Sequence, residues 1–264
     1  EESLKLADLL RTLSEGNEAV VVHQVVHGKV DDDPRIGSRI IVGEDGQPLY
    51  PAPTADLILP PAPERHPHQL KALGEYEVYS ERWNPTPRLL IVGAGHIAEP
   101  LESIARQCGF GTIVADDRSL FANRQRFPQA TQVVCGPILE VVRQIDLTPH
   151  TYVVLVTRGH TLDMDALKVL IDRKEPLAYI GMIGSKRRIS AVYQLLGEQG
   201  YARELFENVF SPIGLQIGSE TPAEIAVSVL AEMIAVRRGA DVRETLPMSL
   251  LSGLHPSLRR KQHA

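Results

Sequence analysis

The residues with the clearest chemical capacity form a glycine-rich turn in the middle of the chain. The segment from Gly93 to Ala98, GAGHIA, has the G-x-G-x-x-A spacing of dinucleotide-binding turns. Gly93 permits the tight turn, Gly95 lets the backbone approach a pyrophosphate, and Ala98 lets the next helix pack close to its strand. A helix that begins here offers free N–H groups to an anion. The turn therefore predicts a site for a phosphorylated ligand; a turn that serves only packing is the structural alternative.

A carboxylate and a cation follow about 20 residues later, where the next apolar segment ends. Asp116 has the position of the acid that binds a ribose hydroxyl in dinucleotide sites. Arg118 could bind a phosphate instead, or it could form a salt bridge with a neighbouring carboxylate. Both residues are candidate ligand contacts.

Two histidines and an acid are candidates for proton transfer. His96 begins the helix after the turn, and His160 follows a later strand, shortly before Asp163. Together they could form a general acid/base pair or half of a metal site. We expect no metal site. Contact with a bound ligand and a merely polar loop position both remain open for the two histidines.

A second glycine-containing helix start is rich in cations. Gly184 and Ser185 precede Lys186 and Arg187. Cations at a helix N-terminus oppose the helix dipole, so they need an anion or solvent nearby. A phosphate group is one solution and a solvated basic surface is the other, while Ser185 could be a plain N-cap.

The elements that must position these residues alternate between strand and helix across residues 88–240. This alternation predicts an α/β fold with a doubly wound, Rossmann-like parallel sheet. Ligands of such sheets bind outside the carboxyl ends of the strands. The topology is therefore expected to gather four loops at one edge: Gly93–Ala98, Asp116–Arg118, Thr157–Asp163 and Gly181–Arg188.

The rest of the chain divides by composition. Residues 1–50 are predicted to form a small N-terminal α+β unit, with a helix at Leu4–Leu13. Residues 51–87 are crowded with prolines and are predicted to be a linker or crossing segment, although Tyr76–Trp83 has the pattern of a strand. Residues 88–240 would be the Rossmann-like cofactor-binding domain, and residues 241–264 a C-terminal tail.

Composition excludes several classes of protein. The 264 residues carry a formal charge of −5 without a long basic block, so a nucleic-acid surface is not indicated. No apolar run is long enough to span a bilayer, and no signal peptide is evident. Cys108 and Cys135 do not have C-x-x-C spacing, which argues against a zinc site or a disulfide framework and fits a reducing cytoplasm. Cys135 is expected to be a small buried hydrophobe, with a sulfur relay as the alternative.

Five blocks resemble, in order and spacing, the xanthine dehydrogenase accessory protein family, XdhC/CoxI. They are LLIVGAGHIAEPL, TIVADDRSLFANRQRFP, VVLVTRGHTLDMDAL, YIGMIGSKRR and SPIGLQIGSETPAEIAVSVLAE. The resemblance implies a maturation factor that binds the molybdenum cofactor, aids its sulfuration by a cysteine desulfurase and delivers it to a molybdenum hydroxylase. The candidate cofactor-binding residues are Gly93, Gly95, His96, Ala98, Asp116, Arg118, Arg158, His160, Gly184, Ser185, Lys186 and Arg187.

That cofactor is a pyranopterin with a phosphate, or with a pyrophosphate in its dinucleotide form, which the turn could hold. The N-terminal region resembles the family less well. Its G-G-C block, which bears a cysteine, has no counterpart at Leu49–Pro53. The chain is thus a divergent member that could retain cofactor binding alone. The resemblance and the proline-rich segment also predict a homodimer.

Two other functions remain open. The turn and Asp116, taken alone, suggest an NAD(P)-dependent oxidoreductase, with His96, His160 and Asp163 as the candidates for catalysis. A nucleotide-sensing regulatory module is the third possibility. The resemblance favours an accessory protein without turnover of its own.

Overall fold

The computed structural model describes residues 19–28, 35–43, 45–50, 57–63, 68–206 and 208–240. The chain divides into two compact units, residues 1–86 and residues 87–264. The predicted helix Leu4–Leu13 and the predicted tail 241–264 lie outside the described residues. No helix in the described part of the chain is long and apolar enough to cross a membrane.

The first unit contains an antiparallel sheet of five strands in the order β3-β2-β1-β5-β4. The strands are β1 (Val20–Gly28), β2 (Arg39–Gly43), β3 (Pro48–Tyr50), β4 (His68–Leu73) and β5 (Tyr76–Trp83). Alternate residues of β1 are buried, which explains its β-branched sequence. Strands β4 and β5 use part of the segment 51–87, for which the sequence predicts a linker. Strand β4 is a mostly exposed edge strand, so its sequence lacks a clear apolar pattern.

The second unit is built on a parallel sheet of six strands in the order β11-β10-β9-β6-β7-β8. The strands are β6 (Arg88–Val92), β7 (Gly111–Asp116), β8 (Gln132–Cys135), β9 (Thr151–Leu155), β10 (Tyr179–Met182) and β11 (Val209–Phe210). Strands β6 and β9 are buried along most of their length, as expected for a sheet covered on both faces.

Helices cover both faces of this sheet. They are α1 (Ala98–Gln107), α2 (Ile138–Gln144), α3 (His160–Arg173), α4 (Lys186–Glu198) and α5 (Pro222–Arg237), with a short 3₁₀ helix at Arg203–Phe206. Leu101 of α1 and Met233 of α5 pack in one core. Val142 of α2 and Leu167 of α3 pack in the other. The predicted doubly wound, Rossmann-like α/β fold is therefore confirmed.

Local signals set the ends of α5. Thr221 is its N-cap, Pro222 stands in its first turn, and Glu224 completes a capping box with Thr221. Gly239, which has a positive φ, follows its last turn.

Strand β6 is where the strand order reverses. It pairs with β7 on one side and with β9 on the other. Ligands of open parallel sheets bind in the crevice at such a switch point, outside the carboxyl ends of the strands. The fold therefore places the glycine-rich turn, which leaves the end of β6, at the expected ligand crevice.

Candidate functional site

The two glycines of the turn have different surroundings. At Gly93, where φ is 108°, an added Cβ would lie 2.4 Å from the carbonyl oxygen of Val156 and 2.8 Å from Cα of Thr157. An added Cβ at Gly95 would meet no heavy atom within 4 Å. Gly93 is therefore required by the close approach of the loop after β9. Gly95 instead leaves open space beside the N-terminus of α1, where a ligand can approach the backbone.

The peptide between the glycines is held from both sides. The N–H of Ala94 donates to Oδ2 of Asp116 over 2.8 Å, and the carbonyl of Ala94 accepts from Nη1 of Arg126 over 2.7 Å. The N–H of Gly93 also donates to the carbonyl of Ala115 over 2.8 Å. The turn is thus fixed before any ligand arrives.

Asp116 lies beneath the turn and is 1% exposed. Besides the Ala94 bond, its carboxylate accepts from the backbone N–H of Arg118 over 3.0 Å and from Nε and Nη2 of Arg118 over 2.8 Å each. Burial alone would raise the pKa of Asp116, but the hydrogen bonds from Arg118 and Ala94 outweigh it and lower the pKa from 3.8 to about 2. Asp116 supports the turn, and this burial leaves its carboxylate little access for a ribose hydroxyl.

Arg118 takes the salt-bridge alternative. Its guanidinium pairs with Asp116 and lies 3.8 Å above the ring centroid of Phe121. Cation–π stacking and a buried carboxylate together restrict this side chain. Arg118 therefore belongs to the support of the turn in this structure.

Arg126 and Phe121 are functional candidates that the sequence did not single out. The guanidinium of Arg126 lies 4.9 Å from the Phe121 ring centroid, donates to Ala94 and pairs with Glu99 of α1. Both residues belong to the long loop after β7, which has no helical or strand periodicity. The only signal in the sequence was the cluster of arginines and aromatics in DDRSLFANRQRF.

Asp117, which the sequence prediction also passed over, forms a bidentate ion pair with Arg158. Nη1 and Nη2 of Arg158 lie 2.9 Å from Oδ1 and Oδ2 of Asp117, respectively. The Arg158 side chain is 52% exposed and that of Asp117 is 31% exposed. This pair joins the loops after β7 and β9 at the carboxyl edge.

Asp163 is buried, with 2% of its surface exposed, and its Oδ1 accepts from the backbone N–H of Thr157 over 2.9 Å. Burial raises the pKa of Asp163 and outweighs the hydrogen bond from Thr157 and the charge of His160, which lower it. Asp163 therefore holds the loop after β9. His160 begins α3, His96 lies in the turn, and both are exposed. The described residues contain no group of three or more metal-ligating side chains arranged around a common point.

The basic helix start follows β10, the neighbour of β9. Ser185 is the N-cap of α4 and accepts from the backbone N–H of Arg188. Lys186 and Arg187 are exposed in a first turn that contains no acidic residue. An added Cβ at Gly184 would lie 2.9 Å from Cδ1 of Ile189, so this glycine also serves close packing.

Cys135 differs from the expectation of burial. It is the last residue of β8 and is exposed, because β8 is an edge strand whose residues are only partly covered. Its Cα pairs in register with that of Asp116. Cys108, at the end of α1, is partly buried.

Glu232 is a further buried carboxylate, and it supports the loop after β11. Oε1 of Glu232 accepts from the hydroxyl of Tyr179 over 2.5 Å and from the backbone N–H of Gly214 over 3.0 Å. An added Cβ at Gly214 would lie 2.4 Å from Oγ of Ser228, which explains the glycine. This loop is therefore bound closely to α5.

Residues 89–233 match the family profile of the XdhC Rossmann domain. The uncharacterized protein YqeB of Escherichia coli K12 is 33% identical over 168 residues, which are 63% of this chain and 30% of YqeB. A probable xanthine dehydrogenase component of Bacillus subtilis 168 is 34% identical over 161 residues, 61% of this chain and 46% of that protein. The molybdenum cofactor insertion chaperone PaoD of E. coli K12 is 27% identical over 167 residues, 63% of this chain and 45% of PaoD.

The chain thus spans less than half the length of each of these relatives. Among solved structures, a xanthine dehydrogenase from Bacillus halodurans superposes with a TM-score of 0.56 and 20% identity. The superposition covers 92% of this chain and 98% of that chain. At this level of identity the likeness establishes the fold.

Proposed function

Because the chain belongs to the XdhC family, we propose that it is a maturation factor that binds the molybdenum cofactor of a molybdenum hydroxylase. It would assist the sulfuration of the cofactor and its insertion into a client of the xanthine dehydrogenase type. The observation that carries the proposal is the rigid turn at the switch point of the sheet, with open space beside Gly95.

The residues at this edge fit a phosphorylated pterin. The backbone near Gly95 and the N-terminus of α1 would hold a phosphate or pyrophosphate. Arg158 lies on the loop after β9, and the exposed cations Lys186 and Arg187 begin α4, directly after the loop that follows β10. Strands β9 and β10 are the next two strands along the sheet from β6. Neighbouring strands are about 4.8 Å apart, so these loops extend the edge by about 10 Å from the turn. That length suits a ligand with an anionic end and a heterocyclic end.

The cofactor supplies the metal chemistry of the client enzyme, whereas this chain would bind and orient it. Asp116 and Arg126 hold the Ala94 peptide, so the turn needs no rearrangement when an anion binds. Asp163 similarly fixes the backbone of Thr157 next to Arg158. The chain would thus act as a preformed carrier without turnover of its own.

The runner-up is an NAD(P)-dependent oxidoreductase, favoured by the G-x-G-x-x-A spacing of the turn. Two findings speak against it. Asp116, the acid in the ribose-binding position, is enclosed by Ala94 and Arg118. Asp163, a candidate acid, is buried and bonded to Thr157. The remaining candidates for proton transfer are the exposed His96 and His160.

The partners follow from the proposed activity. A molybdenum hydroxylase would receive the cofactor, and a cysteine desulfurase would supply the sulfur. We also propose that the chain works as a homodimer, on the basis of the family resemblance and the proline-rich segment 51–87. A cytoplasmic location is proposed because the two cysteines do not suggest a disulfide framework.

Anaerobic purification from a molybdenum-replete host tests the proposal. Bound metal is measured by elemental analysis and bound pterin by mass spectrometry, and NAD(H) and NADP(H) are titrated separately. We expect molybdenum or pterin with the natural chain and its loss in Gly95→Asp. Gly197→Asp is the matched control, because an added Cβ at Gly197 also meets no heavy atom within 4 Å, on the exposed surface of α4.

Retention of pterin by both variants would mean that the turn is not part of the cofactor-binding site. Micromolar binding of a nicotinamide nucleotide without any pterin would contradict the proposed function and favour the oxidoreductase. The search for a substrate would then begin beside His96 and His160.

A further inference from the structure

Two consecutive acids at the carboxyl end of β7 differ in their hydrogen-bond partners, although Nε of Arg118 also lies 3.9 Å from Oδ1 of Asp117. Asp116 is enclosed beneath the turn, where Ala94 and Arg118 occupy its oxygens. Asp117 is accessible and is paired with Arg158 through two bonds of 2.9 Å. The second acid is therefore the one that solvent and ligands can reach.

The pair of Asp117 and Arg158 lies across the end of β6. Strand β6 is between β7 and β9, and Asp117 follows β7 while Arg158 follows β9. The two loops are separated by two strand spacings, about 10 Å. The ion pair bridges this distance at the edge from which the glycine-rich turn emerges.

The backbone on both sides of the bridge is fixed. On one side, Asp117 directly follows the enclosed Asp116. On the other, the N–H of Thr157 donates to Asp163, and Oγ1 of Thr157 donates to the carbonyl of Gly159 over 3.1 Å. A change of partner at this bridge therefore needs only rotation of side chains.

A guanidinium binds carboxylate and phosphate with the same planar, two-pronged geometry. An exposed ion pair is held weakly, because water and salt screen it. Arg158 can therefore exchange the oxygens of Asp117 for those of a phosphate. Arg118 and Arg126 cannot do so at comparable cost, since each is bonded to buried acceptors beneath the turn.

We propose that Asp117 is a placeholder for the phosphate of the ligand: it holds Arg158 at the crevice and is displaced when the phosphate binds. This inference rests on the proposed function only in requiring a phosphorylated ligand at the turn. By competing for Arg158, Asp117 lowers the affinity for the ligand. Weakened retention suits a protein that must pass its ligand to another protein.

Calorimetric titration with inorganic pyrophosphate at low salt tests the placeholder in the full chain. We expect Asp117→Asn to lower the Kd about threefold to fivefold, because the amide competes poorly for Arg158. Arg158→Gln should raise the Kd about tenfold or more. In the double variant, the gain from Asp117→Asn should disappear, because the arginine that it releases is missing.

Asp146→Asn controls for the loss of one negative charge. Asp146 is an exposed acid paired with Arg88. Arg88 begins β6, so this pair lies at the amino ends of the strands, away from the turn. We expect no change in the Kd for this variant beyond experimental error.

Unchanged or weaker binding by Asp117→Asn would overturn the proposal, as would a gain that persists without Arg158. Failure of every variant to bind pyrophosphate would overturn it as well. Pterin retained by the purified chain is measured separately. If pterin is retained but the gain from Asp117→Asn does not depend on Arg158, only the placeholder proposal is wrong. If the gain depends on Arg158 but no pterin is retained, only the proposed maturation role is wrong.

Discussion

Two arginine–carboxylate pairs at the same sheet edge differ because the carboxylate of one is buried and that of the other is accessible to solvent. The support beneath the turn joins Asp116, Arg118 and Arg126 around the Ala94 peptide. The bridge above β6 joins Asp117 and Arg158. Their chemical groups are the same, and the two acids are adjacent in the chain. Their environments make the first pair part of the architecture and the second an exchangeable contact.

The reason lies in strand geometry and solvation. Asp116 is the last residue of β7 and its carboxylate bonds to the turn, whereas Asp117 follows the strand and is exposed. A buried carboxylate that loses its partners keeps a large desolvation penalty, whereas an exposed one returns to water. Variants in the two regions should therefore differ strongly in their effect on stability.

The largest effect is expected from Gly93→Ala. A methyl group there would lie 2.4 Å from the carbonyl oxygen of Val156, and φ of 108° is unfavourable for alanine. Strain and overpacking together should lower the free energy of unfolding by about 3 kcal/mol or more. Urea denaturation measures this loss. Gly95→Ala is the control and should change stability by less than about 1 kcal/mol; equal losses in both variants would contradict the distinction between the two glycines.

The next largest effect on stability is expected from Asp116→Asn. The pKa of Asp116 falls from 3.8 to about 2 on folding, which corresponds to about 2 kcal/mol of stability. Because the folded pKa is depressed, this contribution is present above pH 3.8 and is lost as the pH falls through about 2.

Denaturation between pH 2 and pH 5 measures the predicted pH dependence of Asp116. The natural chain should lose stability on acidification more steeply than the asparagine variant. Parallel curves would mean that the carboxylate is not held as the structure indicates.

Arg126→Met should cost about 1–2 kcal/mol, because it removes the hydrogen bonds to the carbonyls of Ala94 and Phe121. Arg124→Met is a matched variant in the same loop, where Arg124 donates to the carbonyls of Ala130 and Thr131. Both should destabilise, but only Arg126→Met should weaken pyrophosphate binding in calorimetry. Equal binding of pyrophosphate by the two variants would mean that Arg126 does not contribute to binding through the turn.

The smallest effect on stability is expected from Asp117→Asn. Exposed ion pairs contribute about 0–1 kcal/mol, and salt screens them. The midpoint of thermal unfolding of Asp117→Asn should therefore differ little from that of the natural chain at low salt, and not measurably at high salt. A loss of stability as large as that of Asp116→Asn would contradict the prediction that the buried acid contributes more to stability than the exposed one.

Local patterns in the sequence predicted much of the fold. The alternation of predicted strands with predicted helices across residues 88–240 indicated the doubly wound sheet. The turn from Gly93 to Ala98 was recognisable because its residue spacing follows from backbone geometry. Strand β4 was missed, since an exposed edge strand leaves no apolar alternation.

The roles of individual side chains could be predicted less well from the sequence. Cys135 was expected to be buried, but its strand lies at the edge of the sheet. Arg126 was overlooked because irregular loops have no periodicity from which a contact can be inferred. Placement of the predicted ligand contacts in an actual complex stays a prediction.

By itself, the sequence determined the position of the glycine-rich turn, most of the strands and helices of the second unit and the family profile that the chain matches, because these depend on short-range spacing. Only the tertiary structure decided which of two adjacent acids is enclosed and which faces solvent. It also brought Asp117 to Arg158, which is 41 residues away in the chain. Pairing between distant residues depends on strand order and burial, and neither property is encoded in any one segment.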